Sequence, residues 1–142
     1  MIRSVAGIIF FKKKYLFQIR DNKPTIWFPG YNGFFGGLID KKEKPEDAIK
    51  REIFEELNIN VLSCKLLIKL RFQTKKFKEE RERYYYLLDL PKNFEKKMFL
   101  NEGAGYKFLS INKFKLNKMI PWDITATYYH QILLKKTNFI PK

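Results

Sequence analysis

Six consecutive residues near the middle of the chain, Arg51-Glu52-Ile53-Phe54-Glu55-Glu56, gather residue types that handle metal ions and protons. On a helix, Glu52, Glu55 and Glu56 stand at i, i+3 and i+4, so their carboxylates share a face. Ordinary salt bridging explains part of the region, since Glu46 with Lys50 and Asp47 with Arg51 are opposite charges four apart. It does not explain Glu52 and Glu56, which are four apart with like charge and repel by roughly 0.2–0.5 kcal/mol. Of the three, only Glu55 has a base, Arg51, at that spacing. Crowded hard oxygens are what Mg²⁺ or Mn²⁺ requires. Spacing alone leaves a metal site and a solvated acidic face both open.

These side chains need a helix to hold them. Pro45 suits a first helical position, and Glu46 and Asp47 complement the positive end of the helix dipole. Ile49, Ile53 and Leu57 recur every four residues as one apolar stripe, which predicts a helix over 45–57 with the acids on the opposite face. Before it, residues 5–11 and 15–20 read as strands of a hairpin around Lys12-Lys13-Lys14. Residues 21–33 read as a loop, and 34–39 as a short strand interrupted by Gly36-Gly37. After it come expected strands at 61–72, 83–90 and 106–109, with a charged connection at 73–82. Ser110 is placed to cap a short turn, and a last helix is expected over 123–134, just after Pro121-Trp122. Strands mixed with two helices indicate a layered α/β or α+β domain.

A chain of 142 residues fits one domain over 1–142, and its 45% hydrophobic and 17% aromatic content excludes disorder. Cys64, the sole cysteine, cannot form an internal disulfide; it reads as apolar packing, with a reactive thiol as the alternative. No basic segment followed by an apolar run opens the sequence, and no apolar stretch approaches membrane-spanning length. A soluble, cytoplasmic protein with no membrane partner is expected. The charge of +14 is uneven: seven of the 15 acids lie within 37–59, a window of −2, leaving +16 on the rest. That basic body either attracts phosphates or reflects lysines scattered singly to keep the surface soluble.

From Gly37 the sequence reads Gly-x5-Glu43-x7-Arg51-Glu52-Ile53-x-Glu55-Glu56-x-Asn58-Ile59. This resembles the Nudix box, the loop–helix–loop signature of the Nudix (MutT-like) hydrolases, over 23 of the 142 residues. Every defining position matches except the last glycine, here Asn58, and Asn is the next most tolerant residue where a helix end needs a left-handed backbone. The resemblance implies an α/β/α sandwich with a mixed central sheet. It implies that Glu52, Glu55 and Glu56 carry Mg²⁺ or Mn²⁺, helped by a backbone carbonyl at Gly36 or Gly37. Glu52 is then a candidate base for activating water. Glu43 and Arg51 would lock loop to helix, Arg51 counting among the catalytic set. Glu102, in the stretch Asn101-Glu102-Gly103-Ala104-Gly105, is a second candidate base or an exposed loop acid. Glu79, Glu80 and Glu82 compete for that role from another loop.

The reaction implied is attack of water on a phosphorus of a nucleoside diphosphate linked to another group, such as a nucleotide sugar or a (d)NTP. Marks of individual subfamilies after the box are mostly absent. Met119-Ile120-Pro121-Trp122-Asp123 is similar to the region where nucleotide-sanitising relatives hold a base, so Trp122 could stack on one and Asp123 accept its N–H groups. For Asp123 a helix N-cap is the alternative. Gln18-Ile19-Arg20-Asp21 and Trp27-Phe28-Pro29-Gly30 resemble bacterial Nudix proteins, making Arg20 a candidate phosphate contact and Trp27 a candidate base-stacking residue. Two rival readings stay open: an enzyme trimming RNA 5′ ends, and a non-catalytic nucleotide-binding module. The favoured partner is a small nucleotide, with nucleic acid less favoured and the choice of monomer or homodimer open.

Overall fold

The computed structural model describes residues 1–76 and 78–137, so the last five residues of the expected domain lie outside the described ones. Its frame is a mixed sheet built around β1 (Ile2–Ile8). β1 pairs antiparallel with β5 (Phe35–Leu38) on one side and parallel with β7 (Arg81–Asp89) on the other. β6 (Ser63–Phe72) closes the far edge, antiparallel to β7. A second sheet runs β2 (Phe10–Phe11), β3 (Lys14–Ile19), β4 (Asn32–Gly33), with β8 (Gly105–Leu109) also paired to β3.

Alternating side chains give the sheets two apolar faces. Val5, Ile9, Leu16, Phe35 and Tyr86 face one cluster, completed by Ile49, Ile53 and Leu57 of α1 (Pro45–Leu57). Ala6, Ile8, Phe17, Phe34 and Tyr85 face another, completed by Met119 and by Ala126 of α3 (Pro121–Thr137). A single turn, α2 (Phe94–Lys97), adds Phe94 to the first cluster. The architecture is the expected α/β/α sandwich with a mixed sheet, and no helix among the described residues is long and apolar enough to cross a membrane.

Several local expectations change. The strand expected over 5–11 breaks after Ile8, so that β1 and β2 belong to different sheets. The hairpin turn is Lys12-Lys13, both at positive φ (51° and 63°), a two-residue turn of the type that matches strand twist. Gly36-Gly37 do not interrupt a strand; they are its middle, paired with Ala6 and Val5. The expected connection over 73–82 ends early, because β7 starts at Arg81. Glu82 therefore lies in a strand, 5% exposed and paired to Arg71 at 2.9 Å, and Glu80 is 3.7 Å from the same arginine. α3 begins at Pro121, before Asp123. Cys64 packs against the α1 cluster, and burial pushes its thiol up.

Candidate active site

One wall of the site comes from α1, whose bounds match the expected helix. Asn58 follows it in the left-handed region (φ 57°, ψ 36°), with its N–H bonded to the Phe54 carbonyl. The acids do not all stand opposite the apolar stripe. Positions 49, 53 and 56 follow one ridge of the helix, so Glu56 lies beside Ile53 and is 2% exposed. Its Oε1 accepts the Gly36 N–H at 2.9 Å, and its Oε2 accepts Gln18 Nε2 at 3.3 Å. Burial pushes the Glu56 carboxyl up to about 8, reinforced by the charges of Glu102 and Glu52.

Glu52 is half-buried beside Gly37, and a Cβ on Gly37 would sit 2.5 Å from the Glu52 carboxylate. A Cβ on Gly36 would meet the Val5 carbonyl oxygen at 2.0 Å. The glycine pair thus lets the backbone of β5 run directly against two carboxylates. Arg51 organises the outer side. It grips Glu43 with two bonds, 2.8 and 2.9 Å, and donates to the Leu38 carbonyl at 3.1 Å. It also reaches Glu52 at 2.9 Å and Glu55 at 3.4 Å. Those bonds hold the Glu43 carboxyl down near 2. Asp47 is not the partner of Arg51; the loop acid Glu43 takes that place because it meets the guanidinium fork with both oxygens.

Glu102 joins this wall through the loop before β8. Gln18 Nε2 bridges Glu56 and the Glu102 carbonyl, both at 3.3 Å, and the Glu102 charge bears on Glu52, Glu56 and Arg20. Glu102 itself is exposed.

The opposite wall is basic and aromatic. A cleft of about 280 Å³ brings together Arg20, Trp27, Gly36, Gly37 and Trp122 and adds Arg81 and Arg83. Arg20 donates to the Trp27 carbonyl at 2.7 Å, and burial together with nearby Arg83 lowers its pKa. Trp122 stacks on Phe72 (ring centres 4.1 Å apart, 20°) and meets Trp27 and Phe28 edge-on. The Arg81 guanidinium lies 3.9 Å from the centre of the Trp27 ring. Trp27, Phe28 and Trp122 also line an adjoining apolar hollow of about 490 Å³.

Asp123 supports this wall from beneath. It is 1% exposed and accepts from Phe34 N (3.0 Å), Arg83 Nε (3.2 Å) and Tyr85 Oη (2.5 Å). It sits in the first turn of α3, where its bonds run to the sheet and not to its own helix end, so it is not an N-cap. Arg81 and Arg83 were not among the residues singled out from the sequence. Their signal was available: arginines two apart in a strand share a face, here the face of Tyr85.

Among the described residues, no three carboxylate, imidazole or thiol groups form a ready-made metal cage. The reason is visible: Arg51 draws Glu52 and Glu55 outward while Glu56 turns to Gly36. The donor set nonetheless fits a hard divalent ion. It is all oxygen, it faces a glycine strand that leaves room for the Glu52 carboxylate, and a buried anionic Glu56 is costly until positive charge comes close.

Solved structures share this fold at low sequence identity. The MutT NUDIX hydrolase from Burkholderia pseudomallei superposes with a TM-score of 0.77 at 20% identity, covering 90% of this chain and 96% of that one. The E. coli ORF135 protein gives 0.75 at 20%, covering 96% and 93%. The E. coli dihydroneopterin triphosphate pyrophosphohydrolase gives 0.69 at 17%, covering 93% and 94%. No curated protein matches the chain in sequence. The NUDIX domain model, by contrast, matches residues 1–129 of the 142, and the chain therefore belongs to the Nudix family of hydrolases.

Proposed function

We propose that the chain hydrolyses the diphosphate bond of a nucleoside diphosphate linked to another group, a nucleotide sugar or a (d)NTP, using Mg²⁺ or Mn²⁺. One observation carries the reading: Glu52 and Glu56 of α1 meet the Gly36-Gly37 strand, and that same strand lines a cleft with Arg20, Arg81, Arg83 and two tryptophans. Carboxylates for a cation, guanidinium groups for phosphates and aromatic rings for a base are the three needs of such a substrate.

Glu52, Glu55, Glu56 and a carbonyl of Gly36 or Gly37 would hold the ion. When bound, it would neutralise the diphosphate and lower the pKa of a water. Arg20 and Arg83 would bind and orient the diphosphate, Arg83 kept in place by Asp123 from below. Trp27 would cover the base. Asp123 would act through Arg83, since its oxygens already have three donors. Glu52 or Glu102 would accept the proton of the attacking water. Arg51 would position the loop and the acids without touching the substrate.

A panel of nucleotide sugars, (d)NTPs, dinucleoside polyphosphates and triphosphate-ended RNA, incubated with Mg²⁺ and read for released phosphate products, tests this. Release from a small diphosphate-linked nucleotide, abolished by chelator and restored by Mg²⁺, is expected. Turnover of RNA alone, or no turnover above that of Glu56→Gln, overturns the proposal.

A further inference from the structure

The 23 lysines look scattered along the sequence, yet four of them converge in space. Lys107 on β8, Lys113 in the 3-10 turn Ile111–Lys113, Lys115, and Lys118 in the turn Leu116–Lys118 line one hollow of about 270 Å³. Its other lining residues are Ile19, Gly30, Asn32 and Leu109, none of them charged. Residues 107–118 contain no Asp or Glu at all. Among the described residues, lysine ion pairs join Lys23 to Asp21 and Lys69 to Glu82, and none involves these four.

Four ammonium groups around one hollow repel one another. An anion in the middle reverses that cost, and lysines suit phosphate oxygens because each is a compact point charge with three donors. The apolar floor of Ile19 and Leu109 leaves the charged heads as the groups a ligand would meet. Lys118 is steadied over the Tyr31 ring, 5.8 Å from its centre. The lining is a hollow and not a track across the surface, which favours a compact anion over a long strand. Its place is behind the end of β3: Gln18 reaches Glu56 on one face of the strand, and Ile19 floors the hollow on the other.

We propose that Lys107, Lys113, Lys115 and Lys118 form an accessory phosphate pocket, separate from the cleft, that takes a compact polyphosphate anion. Two sources share this chemistry, an inorganic polyphosphate and the phosphate chain of a free nucleotide. The pocket does not depend on the hydrolase reading, because binding there needs neither the acids of α1 nor a metal ion.

The test titrates inorganic tripolyphosphate, and in a second arm ATP, into the metal-free protein while backbone amide NMR shifts are followed. Shifts at residues 19, 30, 32 and 107–118 are expected, saturating at about micromolar to submillimolar ligand. Tripolyphosphate binding should weaken at least about tenfold in K113Q/K115Q. It should survive in Arg20→Gln. All four lysines are exposed, so the substitutions leave the core untouched. Saturation by ATP as well as tripolyphosphate assigns the pocket to nucleotide-borne phosphates, and by tripolyphosphate alone to the inorganic chain. Shifts confined to Arg20, Arg81 and Arg83, or equal affinity in K113Q/K115Q, overturn the proposal. So does tighter binding at these lysines of a single-stranded RNA lacking a 5′ phosphate.

Discussion

The two walls of the cleft solve the problem of buried charge in opposite ways. The basic wall is compensated from within: Arg83 rests on a carboxylate, Asp123, whose other bonds come from a backbone N–H and a tyrosine hydroxyl. The acidic wall is compensated mainly at its rim, with a weaker contribution from Arg83 deeper in. Arg51 serves Glu43, Glu52 and Glu55 at the rim, while Glu56 sits deeper with an amide, a backbone N–H and the charges of two other acids. One wall is a finished piece of structure. The other is built around a carboxyl that burial and two neighbouring acids hold back from ionising, and groups perturbed in this way cluster at functional sites.

If that contrast is right, the largest stability effect belongs to the basic wall. Arg83→Met leaves Asp123 buried without its cation and should cost about 3–5 kcal/mol in a denaturant melt. The double variant Arg83→Met/Asp123→Leu should recover much of that loss. A cost under about 1 kcal/mol for the single change would show that the pair is not structural. The acidic wall should answer in activity instead. Glu56→Gln keeps an acceptor for the Gly36 N–H, so the protein should melt no lower than wild type, while turnover should fall about 100-fold or more. Unchanged turnover in both Glu56→Gln and Glu55→Gln would remove the metal-site proposal.

A smaller effect separates the aromatic part of the basic wall from its charges. Trp27→Leu removes a stacking face but leaves the backbone carbonyl that Arg20 uses. KM for the best nucleotide should rise about tenfold with turnover little changed. Equal loss of turnover would mean that the ring organises the arginines rather than the base. The smallest effect lies at the end of the helix that carries the acids. Asn58→Gly should be neutral or stabilising by at most about 1 kcal/mol, and Asn58→Val should destabilise by about 1–2 kcal/mol, because its left-handed backbone opposes a β-branched side chain. A melt in which Val equals Gly contradicts that account.

The same contrast explains what could be read from the sequence. The acidic wall is one helix, so its spacing, its proline start and its end at Asn58 are contiguous and legible. The burial of Glu56 was not, because a three-residue step from Ile53 looked polar by residue type while geometry put it on the packed ridge. The basic wall joins β7, the loop before β4 and the start of α3, which only the fold brings together. Arg81 and Arg83 sit where a charged stretch passes into β7, and residue type alone does not mark that boundary. Asp123 was noticed for its type, but its bonds to Phe34 and Tyr85 depend on pairings no local pattern encodes. The lysine pocket escaped for the same reason: β8 and the turns after it gather charges that look evenly spread in one dimension.

The parallel pairing of β1 with β7 also sets an order of events. Ile2 meets Arg81, and Gly36 and Gly37 meet Ala6 and Val5 on the other edge of the same strand. β1 precedes β5 and α1 in the chain, yet its parallel partner lies far downstream, Arg81 following Ile2 by 79 positions (81 minus 2). Contacts so far apart in the chain close slowly, since the intervening loop must lose its freedom before they form. The β1–β5 pairing and α1 can assemble early, putting Glu52 and Glu56 beside the glycine strand. Arg81 and Arg83 arrive with β7, and Asp123 later still. Chain order therefore lets the acidic half of the site assemble from local contacts, while the basic half waits on distant ones.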